Sequence, residues 1–294
     1  MSQSECADAR RFEASSAAPT WWVVCSKELA DLWIGGKAPL LMLLFCVIQG
    51  GTTYMMVGNT ADPTPPKEMV YAVIEGAIAY GLLMGVIMGA DTISGERERA
   101  TLEALLLTPT SRTQLVVGKF LAAISPWAAA MIITVPYLIV ISQGDEILSH
   151  ALLWGTIMGT MLTTAFAATG MVVSFWCNSN RSSLFVSLVL YFSLLLPTFL
   201  PGGAQAGKFG RFLKRVNPIE SNGHFLEKVI VNNRPANEFS DWLTSPVLYT
   251  VLVFGLLFLC AGSGLGLDAG RAKRTFNFGW FRGSRHKKAL TSAN

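Results

Sequence analysis

The chain has 294 residues, of which 51% are hydrophobic and 14% are charged, and its formal net charge at pH 7 is +4. Soluble globular domains carry about 25% charged residues, and the mean hydropathy of this chain is positive, at +0.44. These values exclude an ordinary soluble protein and indicate a membrane protein.

Before the first long apolar run, two segments differ in character. Residues 1–20 are polar and lack the apolar core of a secretory signal peptide, so we expect a flexible N-terminal segment. Residues 21–37 place Trp22 and Trp33 at near-helical spacing with leucines between them. This pattern is typical of an amphipathic helix in the membrane interface; a solvated juxtamembrane segment is the alternative.

Six apolar runs are each long enough to cross about 30 Å of hydrocarbon as a helix. They lie near residues 38–58, 69–90, 114–141, 149–176, 184–200 and 247–267. The sequence therefore predicts an all-α membrane protein whose six transmembrane helices form one domain over residues 38–267. A basic tail, residues 268–294, follows that domain.

The distribution of lysine and arginine predicts the orientation. The N-terminal segment, the connections at 91–113 and 177–183 and the C-terminal tail carry basic residues, so we expect them in the cytoplasm. The connections at 59–68 and 142–150 hold one lysine against four acids and are expected outside. Six spans place both termini in the cytoplasm and the long connection at 201–245 outside.

The connection at 201–245 is too long for a simple turn. We expect a flexible start over residues 201–210, followed by helical pieces at 218–232 and 238–243. Residues 202–208 match the first seven positions of the phosphate-binding GxxxxGK[ST] loop, but Phe209 replaces the Ser or Thr that contacts magnesium. We interpret this as a chance match, and we predict no cofactor in this chain.

Ionisable residues inside membrane spans are costly and suggest functional sites. Glu75 in the second span is a candidate for the translocation path; it could also pair with Arg234 or lie at headgroup depth. Lys119 lies near the cytoplasmic end of the third span, where its side chain can reach the interface. His150 and His224 lack companion ligands at metal-binding spacing, so we interpret them as isolated histidines.

The fourth span has a face of small residues that includes Gly155, Gly159 and Gly170. Such a face permits close approach of two helices. The spacing leaves open whether the partner helix belongs to this chain or to a second copy.

The connection between the second and third spans reads DTISGERERATLEALLLTPTSR over residues 91–112. Thr92 or Ser94 can cap a helix whose first turn holds two acids and whose Arg99 pairs with Glu103. Leucines then form an apolar face, and Pro109 ends the helix. Acids outnumber bases, which favours docking in a protein groove over lying on the bilayer.

The string SGERERATLEALLLTPTSR resembles the cytoplasmic motif of ABC transporter permeases of the type-2 export class. The resemblance extends to the Lys-Glu-Leu sequence in the helix before the first span, the six-span layout and the Asn217-Pro218 sequence before the last span. Ala100 stands where many relatives have Gly. We expect this difference to change little, because Ala is the better helix former.

The resemblance implies that the chain is a permease that exports a substrate, driven by a separate ATPase subunit that carries ATP and magnesium. The 91–112 connection would be a short coupling helix, and residues 177–183 would form a second, smaller contact. A second permease subunit, identical or a sister chain, and a bacterial inner membrane are also implied, and nucleic acid is not. The expected ATPase contacts are Glu96, Arg97, Glu98, Arg99, Thr101, Leu102 and Glu103 in the coupling helix, and Asn178 and Arg181 in the second contact.

Two alternatives remain at this stage. An ATPase-driven subunit that anchors or remodels an envelope machine would use the same coupling helix. A membrane-embedded enzyme using Glu75 or His224 is less well supported, because no clustered set of catalytic polar residues accompanies either side chain.

Overall fold

A computed structural model of the protein describes residues 19–58, 64–101, 111–142, 147–199 and 207–263. Within these ranges the chain forms nine α-helices and no strand. The helices are α1 Thr20–Trp33, α2 Lys37–Gly58, α3 Pro66–Glu98, α4 Arg112–Ser142, α5 Ile147–Trp176, α6 Asn180–Leu195, α7 Lys208–Val216, α8 Pro218–Leu226 and α9 Thr244–Ser263. Shorter helical turns occupy Leu196–Phe199, Glu227–Val231 and Ala236–Leu243.

Six helices in the described part of the chain are long and apolar enough to cross a membrane. They are α2 to α5, α6 with its following turn, and α9 with its preceding turn. The predicted all-α fold with six spans is therefore confirmed. The main difference is α3, which runs from residue 66 to 98 instead of 69 to 90.

Helix α1 packs along α4. The indole N–H of Trp33 donates a hydrogen bond of 3.1 Å to Ser125 Oγ. A Cβ at Gly118 of α4 would lie 2.7 Å from the Trp21 carbonyl oxygen, so the two backbones nearly touch. The helix predicted before the first span is present, and its position in the membrane interface stays a prediction.

The centre of the bundle is the pair formed by α3 and α5. A Cβ on Gly89 of α3 would overlap the Ala167 carbonyl, and a Cβ on Gly170 of α5 would overlap the Val86 carbonyl. Glycine at these positions lets the two backbones approach directly. The partner of the small-residue face on the fourth span therefore lies within the same chain.

The main core surrounds this pair. Side chains of α3, α4 and α5 pack with Phe225 and Leu226 of α8, which are fully buried. The indole of Trp127 in α4 is also buried and donates a hydrogen bond of 3.0 Å to Thr160 Oγ1. By contrast, α2, α6 and α9 leave large apolar side chains exposed, such as Leu43 and Phe185, as expected for helices that face lipid.

The long connection before α9 folds back onto the bundle. Asn217 caps α8, because its Oδ1 accepts a hydrogen bond of 2.9 Å from the Ile219 N–H, and Pro218 occupies the first helical position. The helical pieces predicted at 218–232 and 238–243 are confirmed. Helix α7 is additional, since its first residues fall in the segment predicted to be flexible.

Two regions of the bundle are used below. The motif end comprises residues 91–101 and 177–181, and the loop end comprises residues 207–243. Helix α3 has Glu96 at the motif end and Tyr71 next to the loop end, where the Tyr71 hydroxyl donates a hydrogen bond of 3.3 Å to the Gly223 carbonyl.

Candidate functional site

The charged motif begins inside α3 and not at the start of a new helix. The Ser94 hydroxyl donates a hydrogen bond of 2.6 Å to the Ala90 carbonyl, one turn earlier in α3. The expectation that Thr92 or Ser94 caps a separate helix is therefore wrong. Residues 91–98 contain no proline, and a single glycine, Gly95, costs too little to end a helix whose neighbours are good helix formers.

Helix α3 ends in a Schellman motif. The Thr101 N–H donates to the Glu96 carbonyl at 3.1 Å, and the Ala100 N–H donates to the Arg97 carbonyl at 3.2 Å. Ala100 has a φ of 57°, in the left-handed region where glycine is favoured. The expectation that Ala100 lies inside a helix and changes little is wrong, because glycine suits this position better.

The rest of the predicted coupling helix, including Leu102, Glu103 and Pro109, lies outside the described residues. A helix over those positions stays a prediction. In the described part of the motif, Glu96 and Glu98 belong to the last turn of α3 and not to a first turn. The α3 dipole disfavours acids there, so other groups must stabilise them.

Glu96 is stabilised by a buried lysine. The Lys119 ammonium lies 3.2 Å from Glu96 Oε1 and 2.6 Å from Glu28 Oε1, and the Lys119 side chain is only 1% exposed. Thr101 Oγ1 donates a further hydrogen bond to the Glu96 carboxylate. Lys119 thus does not extend to the interface as expected; it joins α1 and α3 to its own helix, α4.

Asp91 forms a second set of contacts one turn earlier. Its Oδ2 lies 2.6 Å from the Lys37 ammonium of α2 and 3.9 Å from the Arg99 guanidinium. Its Oδ1 accepts a hydrogen bond of 2.7 Å from the Asn180 side chain of α6. Among the described residues, Arg99 therefore has Asp91 as its acidic neighbour.

Two contacts bring the predicted first and second docking segments together. The Arg97 guanidinium donates a hydrogen bond of 2.6 Å to the Cys177 carbonyl, and the Glu98 carboxylate accepts one of 3.0 Å from the Asn180 N–H at the start of α6. The α6 dipole favours an acid at that position. Burial raises the pKa of the Cys177 thiol, although the nearby Arg97 charge opposes the shift, so the thiol is protonated at neutral pH.

The predicted ATPase contacts that lie within the described residues thus fall into two groups. Glu96 is buried and Arg97 is half-buried, and both are bonded within the chain. The exposed group consists of Glu98, Arg99, Thr101, Asn178 and Arg181, which we call the motif-end surface. Sequence reasoning missed the inner partners of this network, although a lysine in an apolar helix and an acid in the preceding helix were signals of a buried pair.

A cavity of about 860 Å³ opens at the loop end. Its wall is formed by α3, α6, α7 and α8, and Glu75 lines it with an exposed side chain. The sequence left three possibilities for Glu75: a place on the translocation path, an ion pair with Arg234, or a position at headgroup depth. In the structure its side chain lines a cavity. Arg234 lines a different cavity together with Glu238, and no ion pair between Glu75 and Arg234 forms in the described structure.

Two residues that line this loop-end cavity each have one buried oxygen without a partner. Glu220 Oε1 and Asn222 Oδ1 are both buried and have no hydrogen-bond partner. His224 stacks near Trp242, with ring centroids 4.2 Å apart, and its Nδ1 lies 3.7 Å from Glu227 Oε2. Burial lowers the pKa of His224 and nearby Lys228 lowers it further, while Glu227 opposes the shift.

Among the described residues, no three or more His, Cys, Asp or Glu side chains are grouped so that they could hold a metal ion. His150 lies in α5 with an exposed side chain, and it belongs to no such group among the described residues. Lys208 of the phosphate-loop-like sequence opens α7, and the preceding residues 202–206 are outside the described ranges.

Comparison with known proteins agrees with this arrangement of six apolar helices. The family model described as "ABC-2 family transporter protein" matches residues 13–261. The chain belongs to the ABC-2 family of transporter proteins. It is thus a permease-type membrane subunit of an ABC transporter, as the motif at residues 94–112 predicted.

Two known proteins are similar in sequence to parts of this ABC-2 family protein. It is similar to the probable ABC transporter permease protein NosY of Pseudomonas aeruginosa, with 28% identity over 192 residues, 60% of this chain and 68% of NosY. It is also similar to the ABC transporter permease protein NatB of Bacillus subtilis, with 34% identity over 74 residues, 25% of this chain and 17% of NatB.

Proposed function

We propose that this membrane subunit exports a solute, driven by ATP hydrolysis on a separate ATPase subunit that holds ATP and magnesium. The ATPase docks on the motif-end surface. The observation that carries the proposal is that the two predicted docking segments are bonded to each other. Arg97 and Glu98, at the end of α3, bond to Cys177 and Asn180 of the second segment. One partner can therefore contact both segments at once.

The exposed and buried residues of the motif have different roles in this proposal. Arg99, Arg181 and Glu98 give the motif-end surface charges of both signs, which suits a protein partner with complementary charges. Glu96 and Arg97 do not dock; they fasten the surface to the bundle.

The ion pairs and hydrogen bonds at the motif end transmit force from the ATPase. Lys119 connects the end of α3 to α1 and α4, and Asp91 connects it to α2 and α6. A displacement of the motif-end surface therefore acts on five helices together. Two such permeases, identical or sister chains, with two ATPase subunits would form the transporter in a bacterial inner membrane, with both termini in the cytoplasm and the loop end outside.

The loop-end cavity favours solute export over a purely mechanical role, because an anchoring subunit needs no cavity large enough for a solute beside a membrane span. Glu75, in the cavity wall, marks the proposed translocation path. Hydrolysis itself takes place on the partner, so this chain is proposed to have no enzymatic activity of its own.

The test is co-purification of the full chain with its cognate ATPase and measurement of ATP hydrolysis. Charge reversal of both exposed cations, Arg99→Glu with Arg181→Glu, is expected to weaken ATPase binding by about tenfold or more. The matched control reverses two cations at the other end of the bundle, Lys67→Glu with Arg234→Glu. Equal co-purification and equal hydrolysis for both double variants would refute the docking surface.

A further inference from the structure

Helix α7, Lys208–Val216, is short, basic and amphipathic. Its nine residues include four cations and no acid; the cations are Lys208, Arg211, Lys214 and Arg215. A helix with lysine and arginine on one face and aromatic or aliphatic side chains on another is typical of the membrane interface. The composition of α7 therefore favours contact with lipid headgroups as well as with acyl chains.

The C-terminus of α7 is held beside the ends of two membrane-spanning helices. The Val216 carbonyl accepts a hydrogen bond of 2.5 Å from Ser245 Oγ at the start of α9. The next residue, Asn217, donates a hydrogen bond of 2.5 Å from its side-chain amide to the Leu194 carbonyl near the end of α6. Since α6 and α9 are long and apolar enough to cross the membrane, α7 lies where these helices leave the hydrocarbon.

Two apolar side chains of α7 are exposed. Phe212 is 63% exposed and Val216 is 55% exposed, and their spacing of four residues places them on the same face of the helix. Leu196, directly after α6, and Leu248, near the start of α9, are exposed as well. Exposed apolar side chains therefore continue from the two spans onto α7, where lipid acyl chains can cover them.

Two of the cations lie on the same side of α7 as Phe212. Lys208, Phe212 and Arg215 follow an i, i+4, i+7 pattern. Lys208 has no ion-pair partner within 4.0 Å among the described residues. Arg215 lies 3.6 Å from Asp241, but both side chains are more than half exposed, and such pairs contribute little. Both cations are thus available to an anionic group.

The other two cations of α7 have a different environment. Arg211 and Lys214 line the loop-end cavity together with the carboxylates of Glu75, Glu220 and Glu227. These acids offset the two positive charges on that side of the helix. The positive charge beside the exposed apolar face therefore comes from the first and the penultimate residue of α7.

We infer that α7 binds an anionic phospholipid of the leaflet at the loop end. Lys208 and Arg215 contact the lipid phosphate, and the acyl chains lie against Phe212 and Val216. A zwitterionic lipid offers the same acyl chains, but its net charge is zero and the attraction to the two cations is weaker. The inference goes beyond the proposed export function and needs no ATPase.

Site-specific photocrosslinking tests this contact. The full chain, with p-benzoylphenylalanine in place of Phe212, is placed in nanodiscs of equal parts phosphatidylglycerol and phosphatidylcholine, and one lipid at a time is radiolabelled. We expect crosslinks to lipid, with phosphatidylglycerol favoured about threefold or more, because each interfacial cation attracts anionic lipid. The same probe in place of Val47, an exposed residue of α2, is the positional control and should show no preference.

Substitutions that remove or keep the charge separate the headgroup contact from the apolar contact. Lys208→Gln with Arg215→Gln should bring labelling by the two lipids to near equality, while total crosslinking to lipid remains. The matched variant Lys208→Arg with Arg215→Lys keeps both charges and should keep the preference. Raising the ionic strength to about 0.5 M should weaken the preference of the wild-type helix through screening.

Three results would overturn the inference. Crosslinks from position 212 to protein, or none to lipid, would show that α7 does not lie against the bilayer. Equal labelling by the two lipids with the wild-type charges would exclude recognition of the anionic headgroup. An unchanged preference after Lys208→Gln with Arg215→Gln would remove the role of these cations. Because neither ATPase nor ATP is present, none of these results bears on the proposed export function.

Discussion

The two ends of the bundle use similar polar side chains in opposite ways. At the motif end, Glu96 and Asp91 each contact basic groups, and Lys119 is buried between two carboxylates. At the loop end, Glu220 and Asn222 have buried oxygen atoms with no partner, although their cavity is also lined by arginine and lysine.

This difference separates charges that hold the protein together from polar groups that are buried without a partner. A buried charge with its partners in place joins helices, and removing one partner leaves the other unpaired at high cost. A buried acceptor without a partner lowers stability in the free protein. Substitutions that remove these groups should therefore change the free energy of unfolding in opposite directions at the two ends.

The largest effect is expected for Lys119→Met. The substitution leaves Glu28 and Glu96 unpaired next to an apolar side chain, and it should lower the free energy of unfolding by about 3 to 5 kcal/mol. Reversible unfolding in mixed detergent micelles measures this change. Adding Glu96→Gln to the variant should restore part of the loss, since one unpaired charge is then removed.

The matched control at the same end is Lys37→Met. Lys37 pairs with Asp91, but 47% of its side chain is exposed, so the loss should be below about 1 kcal/mol. If Lys119→Met were no more harmful than Lys37→Met, the buried network would have no special role in stability.

At the loop end, a substitution is expected to stabilise the protein. Asn222→Leu removes a buried oxygen without a partner at nearly constant volume, so it should raise the free energy of unfolding by about 1 kcal/mol or more. The same unfolding assay applies. A loss of stability would show that Asn222 is already satisfied, and the contrast between the two ends would fail.

A smaller gain is expected at the C-terminus of α3. Ala100→Gly relieves the left-handed backbone at φ 57° and should stabilise the protein by about 1 kcal/mol. Ala77→Gly in the interior of the same helix is the matched control and should destabilise it, because glycine disfavours helix interiors. A destabilising effect of Ala100→Gly would contradict the Schellman geometry.

The smallest effect concerns pH. Burial lowers the pKa of His224 in the folded protein, so the unfolded chain takes up the proton more readily. Stability that is present above about pH 6.5 is then lost as the pH falls toward the folded pKa. The melting temperature of the wild type should fall more on acidification than that of His224→Gln.

The control for this pH series is His150→Gln, since His150 is exposed in α5. Its melting temperature should follow the wild type as the pH falls. Superimposable profiles for the wild type and His224→Gln would remove the proton-linked contribution assigned to the loop end.

The sequence predicted the helices because apolar length and periodicity are local properties of the chain. The six runs and the pieces at 218–232 and 238–243 were found in this way. The partner of Gly170 could not be predicted, because a small-residue face does not specify which helix meets it. The structure alone identifies α3.

The end of α3 was misplaced for a physical reason. The apolar run ends near residue 90, yet helix propensity through Glu98 outweighs the cost of Gly95, and the true stop is the backbone at Ala100. Lys119 was treated as a residue near the interface, because its partners Glu28 and Glu96 are 91 and 23 positions away. Such pairs depend on tertiary packing and not on local pattern.

The length of α3 has a further consequence for testing the proposed export function. Its 33 residues span about 50 Å, so one unbroken helix has Glu75 at the cavity and Glu96 beside the motif-end surface. Any compound that changes ATPase affinity through α3 must have its own affinity changed by the ATPase by the same factor. If the proposed function holds, a library of candidate solutes can therefore be screened by the change each causes in ATPase binding.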